Sequence, residues 1–353
     1  MQSIIRNQKY RSLHPVFDEM DRFYSMTSEK TVQVKNALIK PTFDNAFRYL
    51  HRLFRDYGDC KYDVNFTDKK YKAIQLPKQN NKNIILACSG GKDSAAAILH
   101  YRSRGYTVYL FHVLGINKSY PDEYKSVQAI AEYLSVPVHL EKIQFEGKLP
   151  FPEHPMKNMI IANAALHYGI ANNIGTKIAF GSYSNVTLYN ENLYTTGDDS
   201  AEMWMAYEDI VRKAIPRFRI YLGLQNLHHT YRWLEGDKTL LALCRSCIGA
   251  HRFRQFNHDN NEKKFGIKLM PNRCGSCWKC AAEYIYMADH DVLEFNEQYY
   301  KHCIKVLMKW LQKENGITYE YDSDLWLGFF KYSAQKSKLE SIRIEDKAIN
   351  GVA

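Results

Sequence analysis

Long apolar runs are missing from this sequence, and so are the marks of export. No segment reaches the roughly 20 consecutive apolar residues that span a bilayer. The first ten residues, MQSIIRNQKY, lack the apolar core and the cleavage site of a signal peptide. We therefore expect no membrane span and a cytoplasmic location. Internal repeats and low-complexity tracts are absent as well, so the chain is not a repeat protein.

The composition is that of a folded globular protein with a basic charge balance. Hydrophobic residues make up 45% of the 353 residues and aromatic residues 14%, which is enough to form the core of one large or two moderate domains. Lys and Arg number 48 against 38 Asp and Glu, which gives a formal net charge of +10. This balance favours polyanionic partners such as nucleotides or RNA, although a solvated basic surface explains it equally well.

A phosphate loop of the Walker type is also absent, but a different glycine loop occurs at residues 89–94. An apolar run, IILAC at 84–88, leads into the hexapeptide SGGKDS and then into a helix-forming run. Adjacent glycines let consecutive N–H groups face an anion, while serine hydroxyls and a lysine add donors and charge. The pattern predicts a buried strand, a phosphate-binding loop and a helix N-terminus. The candidate phosphate-binding residues are Ser89, Gly90, Gly91, Lys92, Asp93 and Ser94.

Strand and helix patterns alternate along the chain from residue 84. Predicted strands lie at 84–88, 107–113, 136–140 and 177–181, and predicted helices lie at 92–104, 122–135, 157–174 and 202–216, with one or two further helices over 281–313. Such alternation predicts βαβ units, hence an α/β fold with a doubly wound parallel sheet. Ligands bind such sheets at the carboxyl ends of the strands, which is where the glycine loop lies.

Three regions are predicted along the chain. Residues 1–80 form an N-terminal helical extension, because apolar positions recur at helical spacing over 43–54. Residues 81–240 form the domain that contains the glycine loop. Residues 241–353 form a small Cys-rich zinc lobe followed by C-terminal helices.

Cysteine clustering carries the prediction of a metal site. Five of the eight cysteines fall between residues 244 and 280, and in a chain without a secretory signal such clustering indicates metal binding. The five are Cys244, Cys247, Cys274, Cys277 and Cys280, the last three in a C-x-x-C-x-x-C run. We expect the polar segment 251–271 to loop out between the two groups. Four thiolates suit a structural Zn²⁺, and an iron–sulfur cluster is the alternative.

The hexapeptide at 89–94 resembles the PP-loop of the N-type ATP pyrophosphatases. The order of the later motifs is similar to that of the 7-cyano-7-deazaguanine synthases, over about residues 84–285. The segment HPMKN at 154–158 resembles the Pro-x-Arg-Asn helix of that family, with Lys157 in place of the arginine. An aspartate pair, Asp198 and Asp199, precedes a predicted helix as the family's aspartate does.

The same resemblance selects four cysteines as the zinc ligands. The family's single cysteine follows a serine and precedes a C-x-x-C-x-x-C run, a pattern that matches Cys247 and leaves Cys244 out. The ligands implied by the resemblance are therefore Cys247, Cys274, Cys277 and Cys280.

The resemblance also implies a reaction. ATP would be split into AMP and pyrophosphate while the carboxylate of 7-carboxy-7-deazaguanine is adenylated, and ammonia would then give an amide and finally a nitrile. Lys92 would stabilise the phosphate charge, and Asp93 would bind Mg²⁺ or hold the loop. His112, at the end of the second strand, would contact the nucleotide or have a structural role.

Four further residues would bind or activate the substrate in that resemblance. Lys157 would supply charge for catalysis, and Asn158 would be a polar anchor. Asp198 and Asp199 would accept hydrogen bonds from a guanine-like base, or would simply cap the predicted helix that follows them. Homodimers are common in the resembled family.

The sequence is also compatible with other functions. The resembled enzymes have no counterpart of residues 1–80 or of the chain beyond about 285, so the amine acceptor could belong to a protein or an RNA. A PP-loop enzyme of tRNA thiolation would also fit the loop, the cysteines and the charge. A non-catalytic nucleotide-binding partner protein is the third possibility, although it would have no need of Lys92.

Overall fold

A computed structural model describes the chain over 31–37, 61–66, 80–114, 123–142, 157–183, 214–224, 227–245 and 251–314, with a few single positions between these ranges. Seven strands are described: β1 (Thr31–Ala37), β2 (Lys61–Phe66), β3 (Asn83–Ala87), β4 (Thr107–Leu114), β5 (Val138–Lys142), β6 (Lys177–Tyr183) and β7 (Arg219–Leu224). The helices are α1 (Lys92–Ser103), α2 (Glu123–Tyr133), α3 (Lys157–Ala171), α4 (Leu227–Leu234), α5 (Lys238–Leu243), α6 (His251–Phe265), α7 (Trp278–Asp289) and α8 (Glu297–Glu314).

The main sheet has five parallel strands in the order β5-β4-β3-β6-β7. The chain moves outward from β3 to β4 and β5, and then returns to the other side of β3 to form β6 and β7. This reversal makes the sheet doubly wound and creates a crevice at the carboxyl end of β3. The predicted α/β fold is confirmed.

Both faces of the central strand are covered, which explains its uninterrupted apolar sequence. Ile84 and Leu86 belong to the core that includes α1 and α2, whereas Ile85 packs against α3 at Gly169. All three isoleucine and leucine side chains are fully buried. A parallel strand buried on both faces has no need of polar alternation.

The C-terminal helices join the same core. Tyr231 of α4 stacks on Tyr286 of α7 with ring centroids 4.7 Å apart. Tyr284 of α7 meets Tyr299 of α8 edge to face at 4.5 Å. One contiguous hydrophobic cluster runs from β3 to α8, so the cysteine region is packed on the sheet domain.

Several elements differ from the sequence prediction. Strand β7 was not predicted, and the segment 251–271, expected to loop out, contains helix α6. Within the region 1–80, expected to be helical, β1 and β2 form a two-stranded parallel sheet, and the helical pattern at 43–54 lies outside the described residues. The one or two helices expected over 281–313 are two, α7 and α8, which agrees with the prediction. Among the described residues, no helix combines the length and apolar character needed to cross a bilayer.

Candidate functional site

The glycine loop connects β3 to α1 at the carboxyl end of the central strand. Gly90 has φ +73°, a left-handed conformation that side chains disfavour. A Cβ atom there would lie 2.8 Å from Cβ of Ser126 on α2. The loop therefore requires glycine at this position for its backbone conformation and for its contact with α2.

Two serines close the loop onto the first turn of α1. The Ser89 amide donates to Oγ of Ser94 at 3.1 Å, and the two hydroxyl oxygens lie 3.2 Å apart. Helix α1 begins immediately after Gly91, which has no side-chain cap among the described residues. The first amides of a helix lack intrahelical partners and attract anions, so the loop has the geometry of a phosphate site.

Lys92 pairs with Asp93, and Asp93 is in turn held by Thr230 of α4, a helix much later in the sequence. Lys92, whose residue surface is 3% exposed, donates from Nζ to Oδ2 of Asp93 at 3.1 Å. The Thr230 hydroxyl of α4 donates to Oδ1 of the same carboxylate at 3.0 Å. Nζ also lies 5.8 Å from the ring centroid of Tyr231. A buried lysine that is oriented in this way is positioned as a fixed point charge beside the loop.

The neighbouring strand approaches the loop unusually closely. Gly181 of β6 has so little room that a Cβ there would lie 2.7 Å from the carbonyl carbon of Asp93 and from the amide nitrogen of Ser94. Any side chain at this position would displace the start of α1. Gly181 therefore lets the backbone at the start of α1 lie in direct contact with β6.

His112 lies beneath the loop at the end of β4. Its Nδ1 lies 2.8 Å from the carbonyl oxygen of Cys88, so Nδ1 must be the protonated nitrogen. Burial lowers the pKa of His112, and the Cys88 carbonyl opposes this only in part. Burial also raises the pKa of the Cys88 thiol to about 11. The hydrogen bond from the neutral His112 ring therefore stabilises the backbone of Cys88, the residue directly before the glycine loop.

Of the four residues predicted to act on the substrate, the structure describes Lys157 and Asn158. Lys157 is the first residue of α3, and Asn158 follows it, half-buried. Because α3 runs from β5 to β6 in a parallel sheet, its N-terminus lies at the same carboxyl edge as the glycine loop. Asp198 and Asp199 lie outside the described residues.

Two residues of this site carried no sequence signal. Thr230 belongs to no motif, and its contact with Asp93 joins residues far apart in the chain. Arg245 is buried, and its backbone amide donates to the carbonyl oxygen of Gly90 at 2.7 Å. The segment that precedes the cysteine cluster is therefore hydrogen-bonded directly to the glycine loop.

The cysteine cluster brings together the four residues that the resemblance selects. The four sulfur atoms all lie within 4.8 Å of one another, and three of the separations are 3.4, 3.9 and 4.0 Å. Tetrahedral zinc with Zn–S bonds of about 2.3 Å separates its ligands by about 3.8 Å, so Cys247, Cys274, Cys277 and Cys280 fit the ion. Cys244 stands apart, with its thiol donating to the carbonyl oxygen of Leu240 at 3.2 Å.

Backbone and side-chain contacts support this cluster. The Ser276 amide points at Sγ of Cys274 at 3.4 Å, the kind of contact that stabilises a metal-bound thiolate. Asn261 of α6 donates to the Cys274 carbonyl at 3.0 Å, and the Tyr299 hydroxyl donates to the Gly275 carbonyl at 2.9 Å. Helix α6 thus supports the cysteine cluster.

Comparisons with known proteins agree with this geometry. No family model matches the chain. The 7-cyano-7-deazaguanine synthase 2 of Sulfurisphaera tokodaii is 27% identical over 214 residues, which cover 50% of this chain and 46% of that protein. The 7-cyano-7-deazaguanine synthase of Sulfolobus acidocaldarius is 34% identical over 79 residues, which cover 22% of this chain and 17% of that protein. The matched segments span less than half the length of these curated relatives.

The chain resembles the PP-loop ATP pyrophosphatases. By this resemblance, the glycine loop at residues 89–94 corresponds to the PP-loop, and that name is used for it below. Among solved structures, the NMN synthetase of Francisella tularensis is 12% identical, with 76% of this chain and 93% of that chain covered. Its TM-score of 0.25 is too low to bear on the fold or function of this protein.

Proposed function

We propose that the protein is an ATP-dependent ligase that splits ATP into AMP and pyrophosphate and adenylates a carboxylate of a 7-deazaguanine-type substrate, for attack by ammonia or an amine. The observation that carries this proposal is the buried Lys92, held by Asp93 beside the PP-loop at the switch point of the sheet. A lysine is rarely buried unless it is paired or has a ligand, and this one adjoins a helix N-terminus that favours phosphate.

The PP-loop residues have separate roles in the proposal. Backbone amides of the loop and of the first turn of α1 bind the pyrophosphate portion of ATP, and the hydroxyls of Ser89 and Ser94 shape the loop. Lys92 neutralises charge that develops on the leaving pyrophosphate. Both oxygens of Asp93 accept hydrogen bonds, from Lys92 and Thr230, which supports a role in holding the loop. Mg²⁺ would enter bound to ATP.

The chemistry explains why ATP is needed. Ammonia cannot displace an oxide ion from a carboxylate, so a carboxylate oxygen must first attack the α-phosphorus and release pyrophosphate. The nitrogen lone pair then attacks the acyl carbon, the C–O bond to AMP breaks, and an amide forms. The amide oxygen would then attack a second ATP and release pyrophosphate, and the C–O bond to this AMP would break as the nitrogen gives up its two protons, which leaves the nitrile. Holding both reactants beside one loop lowers the entropic cost of each step.

The zinc ion in this proposal is structural. Cys247, Cys274, Cys277 and Cys280 supply four thiolates, which fill a tetrahedral shell and leave no position for substrate. Bound metal would fix the fold of the segment that includes α6 and the start of α7.

The thiolation alternative finds less support in the described cysteines. Outside the four-cysteine cluster these are Cys88, Cys244 and Cys303, all buried. Burial raises the pKa of each thiol, to about 11 for Cys88 and further for the other two. Thiolates attack sulfur donors and thiols do so poorly, so none of the three is suited to carry a persulfide.

Mass spectrometry can test the substrate assignment. Purified protein would be incubated with ATP, 7-carboxy-7-deazaguanine and ammonia, and the products AMP, the amide and the nitrile would be measured. AMP with the nitrile supports the proposal. AMP without amide or nitrile would point to an acceptor on another molecule, a protein or an RNA, and no AMP would contradict the proposed substrate.

A further inference from the structure

A buried arginine joins the cysteine cluster to the chain segment that contacts the PP-loop. Arg273, with 3% of its surface exposed, directly precedes the cluster residue Cys274. Its guanidinium forms a two-pronged ion pair with Glu283 of α7, at 2.5 and 3.0 Å. The same guanidinium donates to the carbonyl oxygen of Leu241 at 3.1 Å and to that of Cys244.

The residue that follows Cys244 contacts the PP-loop. Cys244 is the C-cap of α5, and the next residue, Arg245, donates its amide hydrogen to the carbonyl oxygen of Gly90 at 2.7 Å. Gly90 holds the left-handed conformation that shapes the PP-loop. The guanidinium, the end of α5 and the PP-loop therefore form one continuous set of buried contacts.

We propose that Arg273 is a positioning residue for the PP-loop: it fixes the backbone at 241–245, so that the Arg245 amide holds Gly90 in its phosphate-binding conformation. The inference deepens the proposed function and rests on it for the nucleotide. Arg273 touches neither the loop nor the substrate in this account. Its effect is transmitted through the carbonyl of Cys244 and the amide of Arg245.

The chemistry of the contacts requires arginine. A guanidinium offers five N–H donors in a fixed plane, and here they serve one carboxylate and the three backbone carbonyls of Leu241, Cys244 and Pro271. A lysine ammonium would keep the charge opposite Glu283, but its three donors radiate from one atom. Arg273→Lys should therefore retain the ion pair and lose the contacts with α5.

The test separates positioning from folding. Removing Arg273 alone would leave the Glu283 carboxylate buried and unpaired, which is strongly destabilising. The double variant Arg273→Met/Glu283→Leu removes both charges and fills similar volume, a change that is often tolerated. Arg273→Lys is the second variant, should the double variant not fold. Leu307→Ala, in α8 of the same core, is the control for a general loss of stability.

Three measurements on each full-length variant decide the question: metal content, hydrogen–deuterium exchange over residues 88–95 and 241–247, and ATP affinity by calorimetry. We expect the Arg273 variants to keep full metal content, to exchange faster in both segments and to bind ATP about tenfold more weakly. The control variant should match wild type in exchange and in ATP affinity. A folded, metal-loaded variant with wild-type exchange and affinity would overturn the inference. If the wild-type protein does not bind ATP, the proposed function fails. The positioning role of Arg273 is then decided by exchange alone, and wild-type exchange rates in the Arg273 variants would refute it.

Discussion

The Thr230 hydroxyl donates a hydrogen bond to Oδ1 of Asp93 at 3.0 Å, across 137 residues of sequence. This contact attaches helix α4 to the first turn of α1, where Lys92 donates to the other carboxylate oxygen. The orientation of the buried lysine therefore depends on a residue outside the loop.

Replacing Thr230 with valine should weaken this orientation. The substitution keeps the shape of the side chain and removes the donor to Asp93, which should cost about 1–2 kcal/mol of unfolding free energy. It should also lower ATP turnover by more than the loss of folded protein explains. Thermal unfolding and AMP formation measure the two effects. Thr230→Ser retains the hydroxyl and should keep wild-type AMP formation per folded protein, although loss of a buried methyl group lowers its stability. Equal losses of AMP formation in the two variants would contradict the role of the hydrogen bond.

Replacing Lys92 with alanine should abolish conversion of ATP to AMP while the protein stays folded. Loss of a group that stabilises transition-state charge commonly lowers turnover by about 100-fold or more. Circular dichroism and an AMP assay provide the measurements. The exposed Lys238 is the matched control, and Lys238→Ala should retain activity. Full activity in Lys92→Ala would refute the assignment of the loop.

Replacing Gly181 with alanine should damage nucleotide binding from the neighbouring strand. The new Cβ would lie 2.7 Å from backbone atoms of Asp93 and Ser94, so the start of α1 must move. We expect ATP affinity to fall by about tenfold or more, measured by calorimetry. Gly236 has nothing within 4 Å of the position that a Cβ would take. Gly236→Ala should therefore leave affinity unchanged, and equal affinity in both variants would contradict the close-packing argument.

Metal analysis should return about one zinc ion per chain. Cys247→Ser should lose the metal and unfold at a lower temperature. Cys244→Ser should keep the metal, because that thiol donates to the Leu240 carbonyl and lies outside the cluster. Plasma emission spectrometry gives the stoichiometry. Iron in place of zinc would support the thiolation alternative, and metal loss in Cys244→Ser alone would show that the ligand set is wrong.

A buried histidine on α3 should make the protein less stable as the pH is lowered. Burial lowers the pKa of His167 from 6.5 to about 4, so the unfolded chain binds this proton at a higher pH than the folded chain does. The resulting contribution, about 3 kcal/mol, is fully present above pH 6.5 and is lost as the pH falls towards 4. Denaturant unfolding between these values measures it. His167→Gln should reduce the slope, and an unchanged slope would exclude His167 as its source.

Much of the fold could be predicted because its strands and helices have strong sequence patterns. Strand β3 is continuously apolar, and the loop that follows it has two adjacent glycines. Strand β7 was missed because it lies at the edge of the sheet and most of its residues are only half-buried. Helix α6 was missed because its sequence, HRFRQFNHDNNEKKF, has few apolar residues; contacts such as that between Asn261 and Cys274 stabilise it.

The site could be predicted where it is local in sequence. The PP-loop and the C-x-x-C-x-x-C run are each defined by short spacing, so the sequence alone can propose them. Thr230, Arg245 and Arg273 act through contacts that exist only after the helices pack on the sheet, and nothing in their own sequence neighbourhood indicates them. The family comparison supplied the choice of Cys247 over Cys244, which spacing alone left open.

The proposed function requires cleavage of ATP between its α- and β-phosphates. Phosphorus NMR of ATP incubated with the protein, 7-carboxy-7-deazaguanine and ammonia would identify the products. Our account predicts AMP and pyrophosphate in equal amounts, and neither product from the Lys92→Ala protein. ADP and inorganic phosphate as the products, or AMP and pyrophosphate formed equally well by Lys92→Ala, would contradict it.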